Sequence, residues 1–196
     1  MRKNGFFAMI HRAKYIKRWG LMRNSERENL SEHSFDTAII AHALCEIGNK
    51  RFGKALDSEK IATAALFHDA HEIMTGDLPT PVKYKDEKLL QAYRAIENAA
   101  GERLLSSLPD YLLKSYEELV GFETQNPEMY RYIKAADKIS AYIKCIEETK
   151  AGNPEFAIAK SQQEKAIRAL GLPEAEVFLD EFMDSYGCSL DELQSE

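Results

Sequence analysis

Apolar residues recur at intervals of three and four along most of this 196-residue chain, and no stretch alternates apolar with polar residues for long enough to make a strand. That pattern restricts the fold to packed helices. No self-similar period suggests a solenoid, and even the apolar stretch TAIIAHALC is far short of the ~18 residues that span a bilayer. The expected fold is all-α, one helical bundle over residues 1–196, with no membrane association. A chain of this length buries a core without disulfide staples. Cys45, Cys145 and Cys188 are odd in number, far apart and without C-x-x-C spacing, so a reducing cytoplasm is expected.

The helix limits follow from periodicity and breakers. Phe6, Phe7, Met9, Ile10, Ala13 and Ile16 share one face of a first helix, residues 5–18, with Arg12, Lys14 and Lys17 opposite and Arg18 and Trp19 at its end. Residues 19–30 read as a loop. Ser31 is the expected N-cap of a second helix, 32–48, with Leu30 and Phe35 as a hydrophobic staple. It carries His33 in its first turn. His42 lies about half a turn away and reads as structural. Asp57 or Ser58 caps a third helix through IATAALFHDAHE, apolar nearly all round and therefore buried.

Gly76, Pro79 and Pro81 make DLPTP a rigid, helix-free loop that holds Asp77 beside the third helix. A long helix from Asp86 to Leu108 follows, then one over 110–120 with Gly121 as its C′ residue. Asn126-Pro127 and Asn153-Pro154 each read as an N-cap and first helical residue, opening helices to Ala151 and over 154–170. A last helix covers 173–186, and the acidic tail after Gly187 is expected to fray.

The net charge of −6 conceals an asymmetry. Residues 1–25 hold seven Lys and Arg and no acid, so the remainder is strongly acidic. An acidic body excludes an extended nucleic-acid groove, whereas one basic corner suits a single phosphate. A solvated basic helix face is the plainer reading. A mitochondrial presequence fits less well, because no Ser or Thr precedes Ser25 and the apolar positions suit a permanent core.

Chemistry crowds into FHDAHEIMTGDLPTP, residues 67–81. His68, Asp69, His71 and Glu72 fall within five positions at the end of an apolar segment. On a helix His68 and Glu72 share a face at i and i+4, with Asp69 about a quarter turn away, so His68 and Asp69 could share a cation with Glu72 beside it. Imidazole with carboxylate suits Mn, Co, Ni or Zn better than Ca or Mg. Asp137 stands on a small-residue helical face among Ala135, Ala136, Ser140 and Ala141. It is either paired with Lys134 or Lys138 at the surface or turned inward to a partner.

His33, the doublet His68-Asp69 and the later helical Asp137 form an ordered set that resembles the HD-domain phosphohydrolases. The stretches RWGLMRN, NLSEHS, HDAHE, TGDLPTPVKY and KAADKISAYIKCIEE resemble the bacterial 5′-deoxynucleotidase branch, from Phe6 to about Phe156. The resemblance implies one divalent transition metal, cobalt and manganese among those accepted, held by His33, His68, Asp69 and Asp137. It implies hydrolysis of deoxyribonucleoside 5′-monophosphates by a homodimer. His71 is not carried over as a ligand.

Within that frame Arg18 offers a planar fork to phosphate oxygens, and Glu72 is the candidate general acid or base. Trp19 stands where it could pack against C2′, and Asp77 where it could accept from the 3′-hydroxyl. Leu78, Pro79 and Thr80 complete the expected substrate-binding set with His33, Asp69 and Asp137. Taken singly, Arg18 could be a solvated charge, Trp19 a core plug and Glu72 half of a helix-end salt bridge. Two alternatives differ in function: an HD phosphohydrolase acting on a triphosphate or cyclic nucleotide, and a nucleotide-binding module without turnover. The chain lacks a Gly-Tyr-Pro element after the His-Asp pair, which weakens the first; retention of all four ligands and Glu72 weakens the second.

Overall fold

The computed structural model describes residues 4–83 and 85–195, without the side chain of Thr80. Among these residues the chain is helical apart from loops and one isolated antiparallel bridge, Lys17 with Asn29. The helices are α1 (Phe6–Ile10), α2 (Leu30–Arg51), α3 (Ser58–Ala65), α4 (Glu72–Thr75), α5 (Thr80–Lys83), α6 (Glu87–Leu105), α7 (Asp110–Val120), α8 (Phe122–Gln125), α9 (Pro127–Lys150), α10 (Ala157–Ala169), α11 (Pro173–Phe182) and α12 (Leu190–Gln194). The expected all-α fold is present. No described helix is long and apolar enough to cross a membrane.

The core forms where α2, α3 and α9 pack together. Ile40, Ala41 and Leu44 of α2 meet Ile61, Ala64 and Ala65 of α3 and Ile133, Ala136 and Ile139 of α9; Ile167, Leu172 and Phe178 from the C-terminal helices close the same core. Small residues on α3 and α9 let these helices approach closely, and each large aliphatic side chain buried there contributes roughly 1.5–3 kcal/mol. A second cluster joins Phe6 to Ala70, Leu104 and Leu108, so α1 is anchored to the interior through Phe6.

Several boundaries differ from the sequence pattern. The first helix stops at Ile10 and tightens into a 3₁₀ turn, His11–Tyr15. Ile16 is already extended, which lets Lys17 pair with Asn29, so Arg18 and Trp19 sit in a loop rather than on a helix. The cap of α2 is Asn29, not Ser31: its side chain accepts from the amides of Ser31 and Glu32, and the Glu32 carboxylate accepts from the Asn29 amide. Leu30 is buried and Phe35 is 60% exposed, so the hydrophobic staple does not form. Gly48 does not end α2. A Cβ there would lie 2.9 Å from Glu174 Oε1 and 3.0 Å from Leu56 Cδ1, so its glycine serves close packing. His42 points away from the site and is exposed.

The third helix ends at Ala65, not at Glu72, and its Thr63 and Leu66 are exposed. The Ala65 carbonyl, which a continuing helix would offer to the amide of residue 69, instead accepts from His68 Nδ1 at 2.7 Å. Residues 66–71 turn tightly and α4 then restarts at Glu72. His68 and Glu72 are therefore not stacked on one helix.

The DLPTP segment is not helix-free, since α5 begins in it. Pro81 falls in the first turn, where a missing amide costs nothing, and the Pro79 carbonyl accepts from Val82 and Lys83. Gly121 has φ −94° and leads straight into α8, rather than acting as a left-handed stop. Asn126 makes no side-chain cap bond, whereas Asn153 caps a short 3₁₀ turn, Pro154–Phe156, that precedes α10. The tail is ordered into α12 by a capping box between Ser189 and Glu192.

Candidate metal centre

Three elements bring the four expected ligands together. His33, in the first turn of α2, is fully buried; its Nδ1 lies 3.2 Å from Ser140 Oγ and its Nε2 3.1 Å from Asp137 Oδ1, both on α9. His68, in the turn after α3, directs Nδ1–H to the Ala65 carbonyl, and its Nε2 lies 2.9 Å from Asp69 Oδ2. The two imidazole rings are 5.3 Å apart. Asp137 thus turns inward, and its surface pairing with Lys134 or Lys138 gives way to His33.

Despite these short separations, neither His33 Nε2 nor His68 Nε2 has a hydrogen-bond partner of acceptable geometry among the described residues. Two buried nitrogens without in-line partners would be costly left alone. They and a carboxylate oxygen of Asp69 lie within 4.8 Å of one another, a spacing at which one cation can be shared. The His68 Nδ1–H bond to the Ala65 carbonyl fixes the tautomer that leaves its Nε2 lone pair free, the arrangement typical of ligating histidines, and the Ser140 hydroxyl is able to accept from His33 Nδ1 in the same way. The donor set of imidazoles and carboxylates therefore fits a borderline divalent metal.

Charge points the same way. Burial works against a charged His68, yet Asp69 and Asp137 outweigh it and push the imidazole up to about 9. Burial would raise Asp69 and Asp137, but His68 chiefly for the first and His33 for the second hold both carboxyls low, Asp137 at about 2. The carboxylates call for positive charge at this point.

Arg18 and Trp19 border the centre through a residue the sequence did not suggest. Arg18 Nε donates to Glu28 Oε2 at 3.2 Å and Trp19 Nε1 donates to the same oxygen at 2.8 Å. Arg18 Nη1 lies 3.8 Å from Asp69 Oδ2. Burial opposes the guanidinium charge, but Glu28, Asp137 and Asp69 more than offset it and keep it protonated. Trp19 packs against Phe156, ring centroids 5.3 Å apart, with its backbone at φ +58°. Glu28 carries no periodic or motif signal, because it reaches the site only across the Lys17–Asn29 bridge. Ser140 was legible as a neighbour of Asp137 on the same helix, but its contact with His33 was not.

Glu72 is 7% exposed, and among the described residues its Oε2 is without a hydrogen-bond partner. Burial, then Asp69 and Asp77, push its carboxyl up to about 10. It approaches Asp69 from the first turn of α4: ligand atoms of Asp69, His71 and Glu72 lie within 4.8 Å of one another. His71 Nε2 lies 3.1 Å from Glu97, which also accepts from Lys83 at 2.7 Å. Asp77 is raised by burial, while Arg18 and the Trp19 amide counter it, so the structure brings Asp77 to the Arg18–Trp19 side. Leu78 and Pro79 are part-buried beyond it, and the Thr80 side chain lies outside the described residues.

Gly76 aims this segment. Its φ +76°, ψ 161° is open to glycine and closed to other residues, and its carbonyl accepts from Tyr93 Oη at 3.1 Å. Gly76→Ala is expected to cost about 1–3 kcal/mol of stability and to raise KM through a displaced Asp77. Chemical denaturation and steady-state kinetics check both.

The sequence matches the 5′-deoxynucleotidase YfbR-like family over residues 5–186. The chain belongs to this family. Within it, a 5′-deoxynucleotidase of Klebsiella pneumoniae is 43% identical over 196 residues, covering 100% of this chain and 98% of that one. Among solved structures, an HD-domain phosphohydrolase from Listeria innocua superposes with a TM-score of 0.80 at 20% identity, over 97% of this chain and 92% of that chain. The cyanophage S-2L HD phosphohydrolase DatZ, bound to dA and one catalytic Zn²⁺ ion, superposes with a TM-score of 0.63 at 18% identity, over 91% and 96%. At such identities these likenesses concern the fold, and the fold is that of the HD-domain phosphohydrolases.

Proposed function

We propose that the protein is a metal-dependent 5′-deoxynucleotidase that hydrolyses deoxyribonucleoside 5′-monophosphates to deoxynucleoside and phosphate. The observation that carries the reading is the pair of buried, unpartnered Nε2 atoms of His33 and His68 converging with Asp69 and Asp137 beside Arg18 and Glu72. His33, His68, Asp69 and Asp137 would hold one divalent transition metal, with cobalt and manganese as candidates. Bound there, such a metal would neutralise phosphoryl charge and lower the pKa of water.

The chain's own residues do the rest. Arg18, already oriented by Glu28, presents its remaining donors to phosphate oxygens. Glu72, buried beside Asp69, holds and moves a proton, as general acid toward the leaving O5′ or as general base toward water. Asp77 and the backbone of Leu78, Pro79 and Thr80 receive the sugar, with the Asp77 carboxylate accepting from the 3′-hydroxyl. Trp19, held by Glu28 and Phe156, closes the C2′ side.

The same reading covers organisation. Residues 1–196 form one HD domain, supported by the shared core of α2, α9 and the C-terminal helices. Phe35 and Ile39, one turn apart on α2 and 60% and 53% exposed, suit a homodimer contact. Three free cysteines suit a cytoplasmic enzyme.

Phosphate release from dAMP, AMP, dATP and a cyclic nucleotide, with metal added, tests the function; turnover confined to a triphosphate or cyclic substrate, or none at all, would refute it. Trp19→Ala is expected to lower the dAMP to AMP ratio of kcat/KM about ten- to a hundred-fold, because burying an unpaired hydroxyl costs ~1–3 kcal/mol. Asp77→Ala is expected to weaken both substrates. An unchanged ratio in Trp19→Ala would leave the ring as packing alone.

A further inference from the structure

Residues 19–29 form no helix, yet the placement of Arg18 and Trp19 depends on them. The near end is closed by the Arg18 amide donating to the Glu28 carbonyl at 3.1 Å and the Leu30 amide to the Ile16 carbonyl at 2.9 Å. The far end is held mainly around one carboxylate, with the Arg23 amide also donating to Glu155 Oε1 at 3.1 Å. Glu148 of α9, 1% exposed, accepts from the amides of Ser25 at 2.8 Å and Glu26 at 3.1 Å, from Lys144 Nζ at 2.5 Å and from Asn153 Nδ2 at 2.8 Å. Lys144 Nζ also donates to the Glu26 carbonyl at 2.5 Å, and Asn153 Nδ2 to the Arg23 carbonyl at 2.7 Å.

Two routes lead from this cluster to Trp19. Through the main chain, Asn24 Nδ2, in the segment these bonds hold, donates to the Trp19 carbonyl at 3.3 Å and to that of Met22 at 2.8 Å. Through side chains, the Lys144 ammonium lies 5.9 Å from the centroid of Phe156, the ring against which Trp19 packs. Burial opposes ionisation of Glu148, but Lys144, the Ser25 amide and Asn153 hold it down at about 2, so it is charged throughout the neutral range. A buried ion pair adds little net stability over an apolar packing, whereas removing one partner frees everything bonded to it.

We propose that Glu148, with Lys144 and Asn153, is a positioning cluster for substrate selection: it holds residues 19–29 in the arrangement that sets Trp19 against the sugar. The selection half rests on the reading of Trp19 given above, while the anchoring half stands by itself. Trp19 is the only tryptophan in the chain, so its fluorescence reports the loop directly. Glu148→Gln keeps the shape and removes the charge. The expected result is red-shifted emission and stronger acrylamide quenching, unchanged far-UV circular dichroism and metal content, and a dAMP to AMP ratio of kcat/KM about tenfold lower, the low end of what loss of a charged hydrogen bond removes. The kcat on saturating dAMP stays near parental.

Unchanged emission and quenching would overturn the anchoring. Altered emission with an unchanged ratio would overturn the role in selection. Trp19→Ala separates this from failure of the underlying reading, because there the ratio moves if Trp19 selects, whatever Glu148 does. Asn153→Ala removes one arm only, and gives the same readouts should Glu148→Gln not fold.

Discussion

Replacing Glu72 with alanine lowers kcat on dAMP by about 10²- to 10⁴-fold, the contribution typical of a positioned proton-transfer group. The side chain is 7% exposed, and among the described residues its Oε2 has no hydrogen-bond partner. Its carboxyl is pushed up to about 10 by burial and by Asp69 and Asp77, which keeps it protonated at neutral pH and able to donate. Because a buried carboxyl oxygen without a partner adds little to stability, removing it should not destabilise the fold: Glu72→Ala is expected to melt near the parental temperature and to bind metal with parental stoichiometry. Parental turnover in that variant would end its chemical role. Glu72→Gln, equal in size but unable to pass a proton, is expected to be nearly as impaired, which separates proton transfer from packing.

Chelation is expected to abolish activity, and added cobalt or manganese to restore it. The stronger form of this expectation concerns His68. His68→Ala removes one of two buried nitrogens that converge on Asp69 and leaves the carboxylates of Asp69 and Asp137 facing each other with less positive charge between them. Bound metal, measured by elemental analysis after gel filtration, falls from one equivalent per chain towards zero, and turnover falls with it. Undiminished metal would exclude His68 as a ligand. Asp137→Asn tests the opposite wall of the site: it keeps the shape, reduces the charge that calls for a cation, and is expected to weaken metal affinity by a smaller factor than His68→Ala.

The sequence by itself determined the helical composition and the order of the four candidate ligands. Apolar periodicity needs only local spacing to be read, and His33, His68, Asp69 and Asp137 are recognisable by residue type and order. It also narrowed the cap of the third helix to Asp57 or Ser58, and the structure uses Asp57, whose side chain accepts from the nearby Lys60 amide. Where local signals competed, the pattern misled. Ser31 and Asn29 are both good caps, and the bridge between Lys17 and Asn29 chose the earlier one. The apolar run through HDAHE reads as one helix because its periodicity is unbroken; the His68 side chain takes the Ala65 carbonyl and ends it.

Only the tertiary structure decided what Asp137, Glu28 and Glu148 do. An acid on a small-residue helix face is compatible with a surface lysine or a buried histidine, and the packing of α2 on α9 chose His33 at 3.1 Å. Glu28 reaches Arg18 and Trp19, ten and nine residues away, through a strand-like bridge, and Glu148 reaches the amides of Ser25 and Glu26 more than a hundred residues earlier. The physical reason is common to all three. A buried charge is stable only where opposite charges or donors surround it, and in this chain those partners come from distant segments that meet only once the helices have packed.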